Sequence, residues 1–239
     1  MRVFTTPTDR GKRSGIRDKP MRYFFLASAP RLVYASLGMT FVIILEIIGT
    51  VAFAASGVIA AMHKKMDIFG IMIIGLTTAV GGGILRDLVL NITPPAVFTD
   101  PLYASTAAVT ALFMFIPGVA KYISRAEKRL LVMDSVGLSV FTVLGVHTGM
   151  STGNPFLAVF VGVLTGVGGG VIRDLFIGER PYIFVKHFYA CASIIGAIVA
   201  AALWNVDVFL AMSAGACTIF VLRICAAVFR WSLPHIGLE

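Results

Sequence analysis

The chain has 239 residues, of which 58% are hydrophobic and only 13% charged, with a formal net charge of +8. No soluble domain of this length needs so much apolar surface, and the whole length is used by it, so a separate soluble domain is excluded. The positive charge does not signal nucleic acid: eight of the twenty Lys and Arg precede residue 32 and the rest sit mostly between apolar runs, where the positive-inside rule accounts for them.

A bilayer-spanning helix needs about 20 mostly apolar residues. Seven such segments are predicted, at 37–62, 68–91, 100–118, 131–150, 156–178, 183–204 and 206–229. Residues 1–34 form a basic N-terminal arm, expected to be disordered or to lie on the membrane surface, with Phe24, Phe25 and Leu26 touching the interface. The first span carries Glu46, Gly49, Ser56 and Gly57 and is closed by His63-Lys64-Lys65. The second has a small-residue stripe, Gly75, Ala79 and Gly83, of the kind that lets helix backbones approach in lipid. It ends before Pro94-Pro95, where a helix cannot comfortably continue. The third ends near Pro117-Gly118, and a basic linker, 121–130, follows.

The pattern then restarts. Asp134, Gly137, Phe141 and Gly145 answer Glu46, Gly49, Phe53 and Gly57 at an offset of 88. Gly162, Gly166, Gly170, Arg173-Asp174 and Pro181 answer Gly75, Ala79, Gly83, Arg86-Asp87 and Pro94 at 87. One residue is lost in the turn Ser151–Pro155. The domains are therefore a first three-helix repeat, 35–120, a second, 131–204, a seventh helix, 205–230, and a tail, 231–239. An odd number of spans per repeat inverts the second copy, and this architecture carries midplane sites formed by discontinuous helices.

The centre of the frame is a doubled word, Gly81-Gly82-Gly83 with Arg86-Asp87, and Gly168-Gly169-Gly170 with Arg173-Asp174. Each glycine costs a helix about 1 kcal/mol relative to alanine, and each charge costs about 2.5–3.5 kcal/mol on insertion scales. The second span is about 36 Å long at ~1.5 Å per residue and is centred near Gly81. Breaks at both triplets would bare peptide groups that protein or water must satisfy. Carbonyls around a wet cavity make a cation site. The packing alternative is that the triplets only allow close helix contact and the charges only lock the bundle. Thr77, Thr78 and Thr165 either supply hydroxyls to a pore or bond their own backbone at i−4. Arg86 and Arg173 need partners. Adjacent residues on a helix point about 100° apart, so Glu46 and Asp134 are expected to serve better than Asp87 and Asp174.

The remaining features are blander. Arg223, near the end of the seventh span, reads as snorkelling to the interface. Cys191, Cys217 and Cys225 lie in apolar runs without metal-ligand spacing and read as buried small hydrophobes. His147 and His187 receive no role. No nucleotide loop, metal cluster or nucleophile–base pair occurs, so neither enzyme, metal nor cofactor is expected. Lys64, Lys65, Lys121, Arg125, Lys128, Arg129, Arg180, Lys186 and Arg230 fall on one side, and the loops near 92–99, 151–155 and 204–207 carry no Lys or Arg. The first side is therefore cytoplasmic, with the C-terminus inside and the N-terminus outside. The basic arm opposes this: it is translocated despite its charge, the chain starts at Met21 or Met39, or the span count is off by one. Its charged part is too long for a cleavable signal.

These residues carry a resemblance. The doubled glycine-triplet and Arg-Asp word, in two three-span repeats followed by a seventh span, resembles the trimeric intracellular cation channels. The likeness is greatest to their prokaryotic relatives, also labelled glycine-transporter-like, and covers roughly residues 35–230. It implies a homotrimer in a bacterial or archaeal inner membrane, in contact with membrane lipids. Each protomer would pass monovalent cations, chiefly potassium, along kinked second and fifth spans bent at Gly81–Gly83 and Gly168–Gly170. A secondary transporter for a small solute such as glycine is the alternative, and a lipid-binding scaffold the third reading.

Overall fold

The computed structural model describes residues 22–116, 119, 127–185 and 188–231, and all of the regular structure there is helical. The chain divides into two units, Met1–Met39 and Thr40–Glu239. Of the first, residues 22–39 are helical, so the part of the expected arm from Arg22 to residue 34 is helix rather than disordered chain. Residues 1–21 and His187 lie outside the described residues. The second unit holds both copies of the glycine and Arg-Asp word.

Among the described residues nine helices run in order: α1 (Arg22–His63), α2 (Ile68–Val89), α3 (Ala96–Thr99), α4 (Pro101–Met114), α5 (Glu127–Met150), α6 (Pro155–Phe176), α7 (Tyr182–Val185), α8 (Tyr189–Leu203) and α9 (Val208–Val228). Their starts follow from local chemistry. Asp67, Asp100, Asn154 and Asp207 each accept backbone N–H bonds from the first turn of the helix they precede. Pro101 and Pro155 occupy first-turn positions, where the missing N–H costs nothing.

Among the described residues five helical stretches are long and apolar enough to cross a membrane: Gly38–His63, Ile68–Val89, Lys128–Met150, Pro155–Phe176 and Val208–Val228. The third and sixth expected spans are shorter, at 14 and 15 residues. The reason is the same in both repeats. A four-residue helix forms first, α3 or α7, and the chain breaks before the main helix begins. Asp100 breaks it in the first repeat with an extended backbone, and Phe188, at φ +49°, in the second.

α2 and α6 end alike. The Ile92 and Asn91 N–H groups donate to the carbonyls of Asp87 and Leu88, and those of Glu179 and Gly178 to Asp174 and Leu175. This is the Schellman closure, which requires a left-handed residue, here Asn91 at φ +55° and Gly178 at φ +70°. Gly178→Ala is expected to lower stability by about 1–2 kcal/mol, and Asn91→Gly to leave it unchanged or raise it. Thermal unfolding of the purified detergent-solubilised protein checks both.

The core repeats itself too. Phe53 of α1 and Phe141 of α5 stack with centroids 5.2 Å apart. Gly137 lies against Phe53 and Gly49 against Phe141, and neither glycine has room for a Cβ. Gly57 and Gly145 each leave 2.6 Å between a would-be Cβ and a threonine Oγ1, of Thr78 and Thr165 respectively. Not every small residue is inside: Cys217 is exposed and Cys191 and Cys225 are half-buried, which corrects the expectation that all three are core. In lipid an apolar thiol is as well placed outside as in.

Candidate functional site

α2 and α6 cross at the two glycine triplets. A Cβ on Gly82 would run into the Thr165 carbonyl oxygen, and one on Gly169 into that of Thr78. A Cβ on Gly81 would lie 2.6 Å from Ile172 Cδ1, and one on Gly168 would lie 2.8 Å from Leu85 Cδ1. Each of these four contacts has its counterpart at an offset of 87, so the crossing is reciprocal, as in a pairing about a two-fold axis. Backbone lies on backbone, the geometry in which small residues and Cα–H···O contacts hold helices in lipid.

Both helices run unbroken through their triplets. The expected interruption, with bare peptide oxygens at the midplane, is therefore corrected: close packing explains the glycines. Of the six triplet glycines only Gly83 has open space where a Cβ would stand, with nothing within 4 Å. The threonines follow the backbone alternative. Thr77, Thr78 and Thr165 donate to the carbonyls of Ile73, Ile74 and Val161 at 2.8, 2.6 and 2.6 Å. Thr78 and Thr165 are fully buried.

Charge gathers on both sides of the crossing, unequally. In the second repeat Arg173 and Asp134 are both 0% exposed, and Arg173 Nη1 donates to Asp134 Oδ1 at 2.7 Å. The same nitrogen donates to Ser56 Oγ, and Nε to Asp174 Oδ1 at 2.9 Å. Arg223 of α9 is buried as well. Its Nη2 lies 3.7 Å from Asp134 Oδ2, and its guanidinium stands over the Tyr189 ring at 4.6 Å. The snorkelling assignment for Arg223 is thus wrong: two carboxylates balance two guanidinium groups inside the protein.

In the first repeat the arrangement differs. Arg86 Nε donates to Asp87 Oδ1 at 2.7 Å, while Glu46 Oε2 accepts from Tyr103 Oη at 2.8 Å. The expected Arg86–Glu46 ion pair does not form, whereas its counterpart Arg173–Asp134 does. Asp87 and Asp174 do pair with the arginines beside them, contrary to expectation. Their other oxygens explain it: Asp87 Oδ2 accepts from the Ala96 N–H at 2.8 Å and Asp174 Oδ2 from the Tyr182 N–H at 2.9 Å. Each carboxylate ties a helix end to the next segment, and that fixes it within reach of Nε.

Two cavities flank the crossing. One of about 780 Å³ lies where the ends of α1, α5, α6 and α9 meet, and Lys64, Lys128, Arg173, Asp174, Glu179 and Arg180 line it. The loops predicted to be basic thus converge on one end, and Lys64 and Glu179 pair across it. The other, about 40 Å³, is lined by Glu46, Thr50, Gly83, Arg86, Asp87 and Tyr103 among others. Among the described residues no group of His, Cys, Asp or Glu has the makings of a metal site. His147 packs edge-on to Trp204, with ring centroids 5.7 Å apart.

Sequence reading missed Tyr103, Tyr189 and Ser56 as members of these clusters. A phenol or an arginine inside an apolar span is itself the signal, since such a group needs a buried partner.

The chain matches the glycine transporter family twice, at residues 43–117 and 131–205. The inner membrane protein YadS of Escherichia coli K12 is 40% identical over 200 residues, covering 82% of this chain and 96% of that one. A structure determined for conductance through TRIC cation channels is 37% identical with a TM-score of 0.74, covering 82% of this chain and 97% of the other. The TRIC orthologue from Rhodobacter sphaeroides is 35% identical with a TM-score of 0.74, covering 80% and 100%. With the repeated match, the shared fold and the doubled glycine crossing, the chain belongs to the glycine transporter family and is a prokaryotic member of the trimeric intracellular cation channel family.

Proposed function

We propose that the protein is a channel for monovalent cations, chiefly potassium, in the bacterial or archaeal inner membrane. It works as a homotrimer with one path per protomer. The observation that carries this is the likeness, at 37% identity over nearly the whole of that chain, to a TRIC cation channel. The two charged cavities on either side of the α2–α6 crossing are consistent with one route between them, past Gly83 and along Gly81–Gly82 and Gly168–Gly170. The reciprocal contacts support two inverted three-helix repeats and a seventh helix, about a pseudo-two-fold axis in the membrane plane. The basic loops at the larger cavity support a cytoplasmic C-terminus and an outer N-terminus.

Reconstitution into planar bilayers under potassium, sodium and chloride gradients tests the reading. Unitary currents carried by cations are expected. The chain holds no Thr-Val-Gly-Tyr-Gly filter, so the potassium-to-sodium permeability ratio is expected to stay below about ten. A much larger ratio overturns that expectation.

A second reading, a transporter for a small solute such as glycine, is favoured by one observation: the helices close tightly between two cavities, as alternating access requires. Saturable, stoichiometric glycine flux without unitary currents would replace the channel.

A further inference from the structure

The two repeats place an acid at the same position, Glu46 in α1 and Asp134 in α5, but the protein treats the two differently. Asp134 is fully buried and faces two arginines, Arg173 at 2.7 Å and Arg223 at 3.7 Å. Arg223 lies on α9, outside the repeat, so the first repeat has no counterpart for it. Glu46 is only half-buried, and its hydrogen-bond partner is a neutral phenol, Tyr103 at 2.8 Å. The arginine of its own repeat, Arg86, is held by Asp87 at 2.7 Å. The second cluster is therefore neutral, while the first, with two carboxylates and one guanidinium, carries one net negative charge.

That negative charge borders a cavity. Glu46, Thr50 and Tyr103 bring a carboxylate and two hydroxyls to a space of about 40 Å³, which the Arg86–Asp87 ion pair also lines, its charges offsetting one another. A water needs about 10–15 Å³, so the space suits one partly hydrated cation. Oxygen donors of this kind replace an alkali ion's hydration shell, and in a partly buried site an unneutralised carboxylate acts far more strongly than it would in water. An anion would meet repulsion from the same group.

We infer that Glu46 is the residue that admits cations and rejects anions, offering its carboxylate to a passing potassium ion beside the hydroxyls of Thr50 and Tyr103. Asp134, clamped by Arg223, is structural. This rests on the channel reading and names the charge that such a channel uses.

The test is the reversal potential of the reconstituted full chain under a potassium chloride gradient at low ionic strength. Glu46→Gln keeps the shape and removes the charge. It is expected to lower the potassium-to-chloride permeability ratio about fivefold or more, which is ~1 kcal/mol at ~1.4 kcal/mol per decade. Glu46→Asp is expected to keep cation preference. Val97→Lys, on the short half-buried helix α3 that lines the same cavity, places a cation there without touching Glu46 and is expected to lower the ratio as well. It decides the matter if Glu46→Gln does not assemble. A conducting wild type whose ratio is unchanged by Glu46→Gln, or by Val97→Lys in its place, overturns the assignment of Glu46 while leaving the channel standing. A wild type that passes no current overturns both.

Discussion

Gly82→Ala and Gly169→Ala are each expected to destabilise the protein by about 1–3 kcal/mol, the range for inserting a methyl into a filled core. In both cases the new Cβ meets a carbonyl oxygen of the opposing helix, Thr165 or Thr78, not the end of a flexible side chain. Backbone cannot swing aside, so α2 and α6 must separate, and the surrounding contacts loosen with them. Gly83→Ala is the control, because nothing stands within 4 Å of its Cβ position. That change is expected to be neutral, or to stabilise the helix by up to about 1 kcal/mol, while narrowing the smaller cavity. Thermal unfolding followed by size-exclusion chromatography ranks the three. Equal midpoints for Gly82→Ala and Gly83→Ala would refute the crossing as a contact too close for a methyl group. Leucine at Gly82 or Gly169 is expected to prevent assembly, so it cannot serve as a clean probe of conduction.

Asp134→Leu is expected to be worse still, costing about 3–5 kcal/mol, the usual penalty for breaking a buried ion pair from one side. Arg173 and Arg223 would remain inside the protein with the carboxylate that both face gone. The companion experiment removes the stranded charge. Asp134→Leu combined with Arg223→Met leaves Arg173 paired with Asp174 and is expected to recover most of the loss, because well-packed apolar side chains replace a buried ion pair at little net cost. If the double variant unfolds no later than the single one, Asp134 and Arg223 are not coupled as their distance implies and act independently.

Much of the frame was legible in the chain. The offset of 88, then 87, placed Phe53 opposite Phe141 in kind, and the two rings do stack. The pairing of Arg173 with Asp134 followed from the cost of a lone charge in lipid, and it holds. The grouping of Lys64, Lys128 and Arg180 on one end followed from the spacing of the spans, and the three do line one cavity. What failed was reasoning from one helix at a time. Glycine propensity pointed to breaks at both triplets, but α2 and α6 have each other to pack on, and that contact outweighs the propensity cost. The adjacent Arg-Asp pairs looked misdirected until the backbone N–H groups of Ala96 and Tyr182 fixed the carboxylates. Arg223 had no counterpart in the repeat, so nothing in the pattern announced Asp134 as its partner. The short third helix of each repeat depends on a chain break after four residues, which apolar composition hides.

The seam between α2 and α6 has a consequence for speed. It is made of main chain, so no rotating side chain at Gly82 or Gly169 works as a latch there. The route proposed along it would widen only when two long rods roll or slide apart as bodies, a movement of microseconds to milliseconds. Brief, temperature-steep bursts of current, rather than nanosecond flicker, are the behaviour expected of such a hinge.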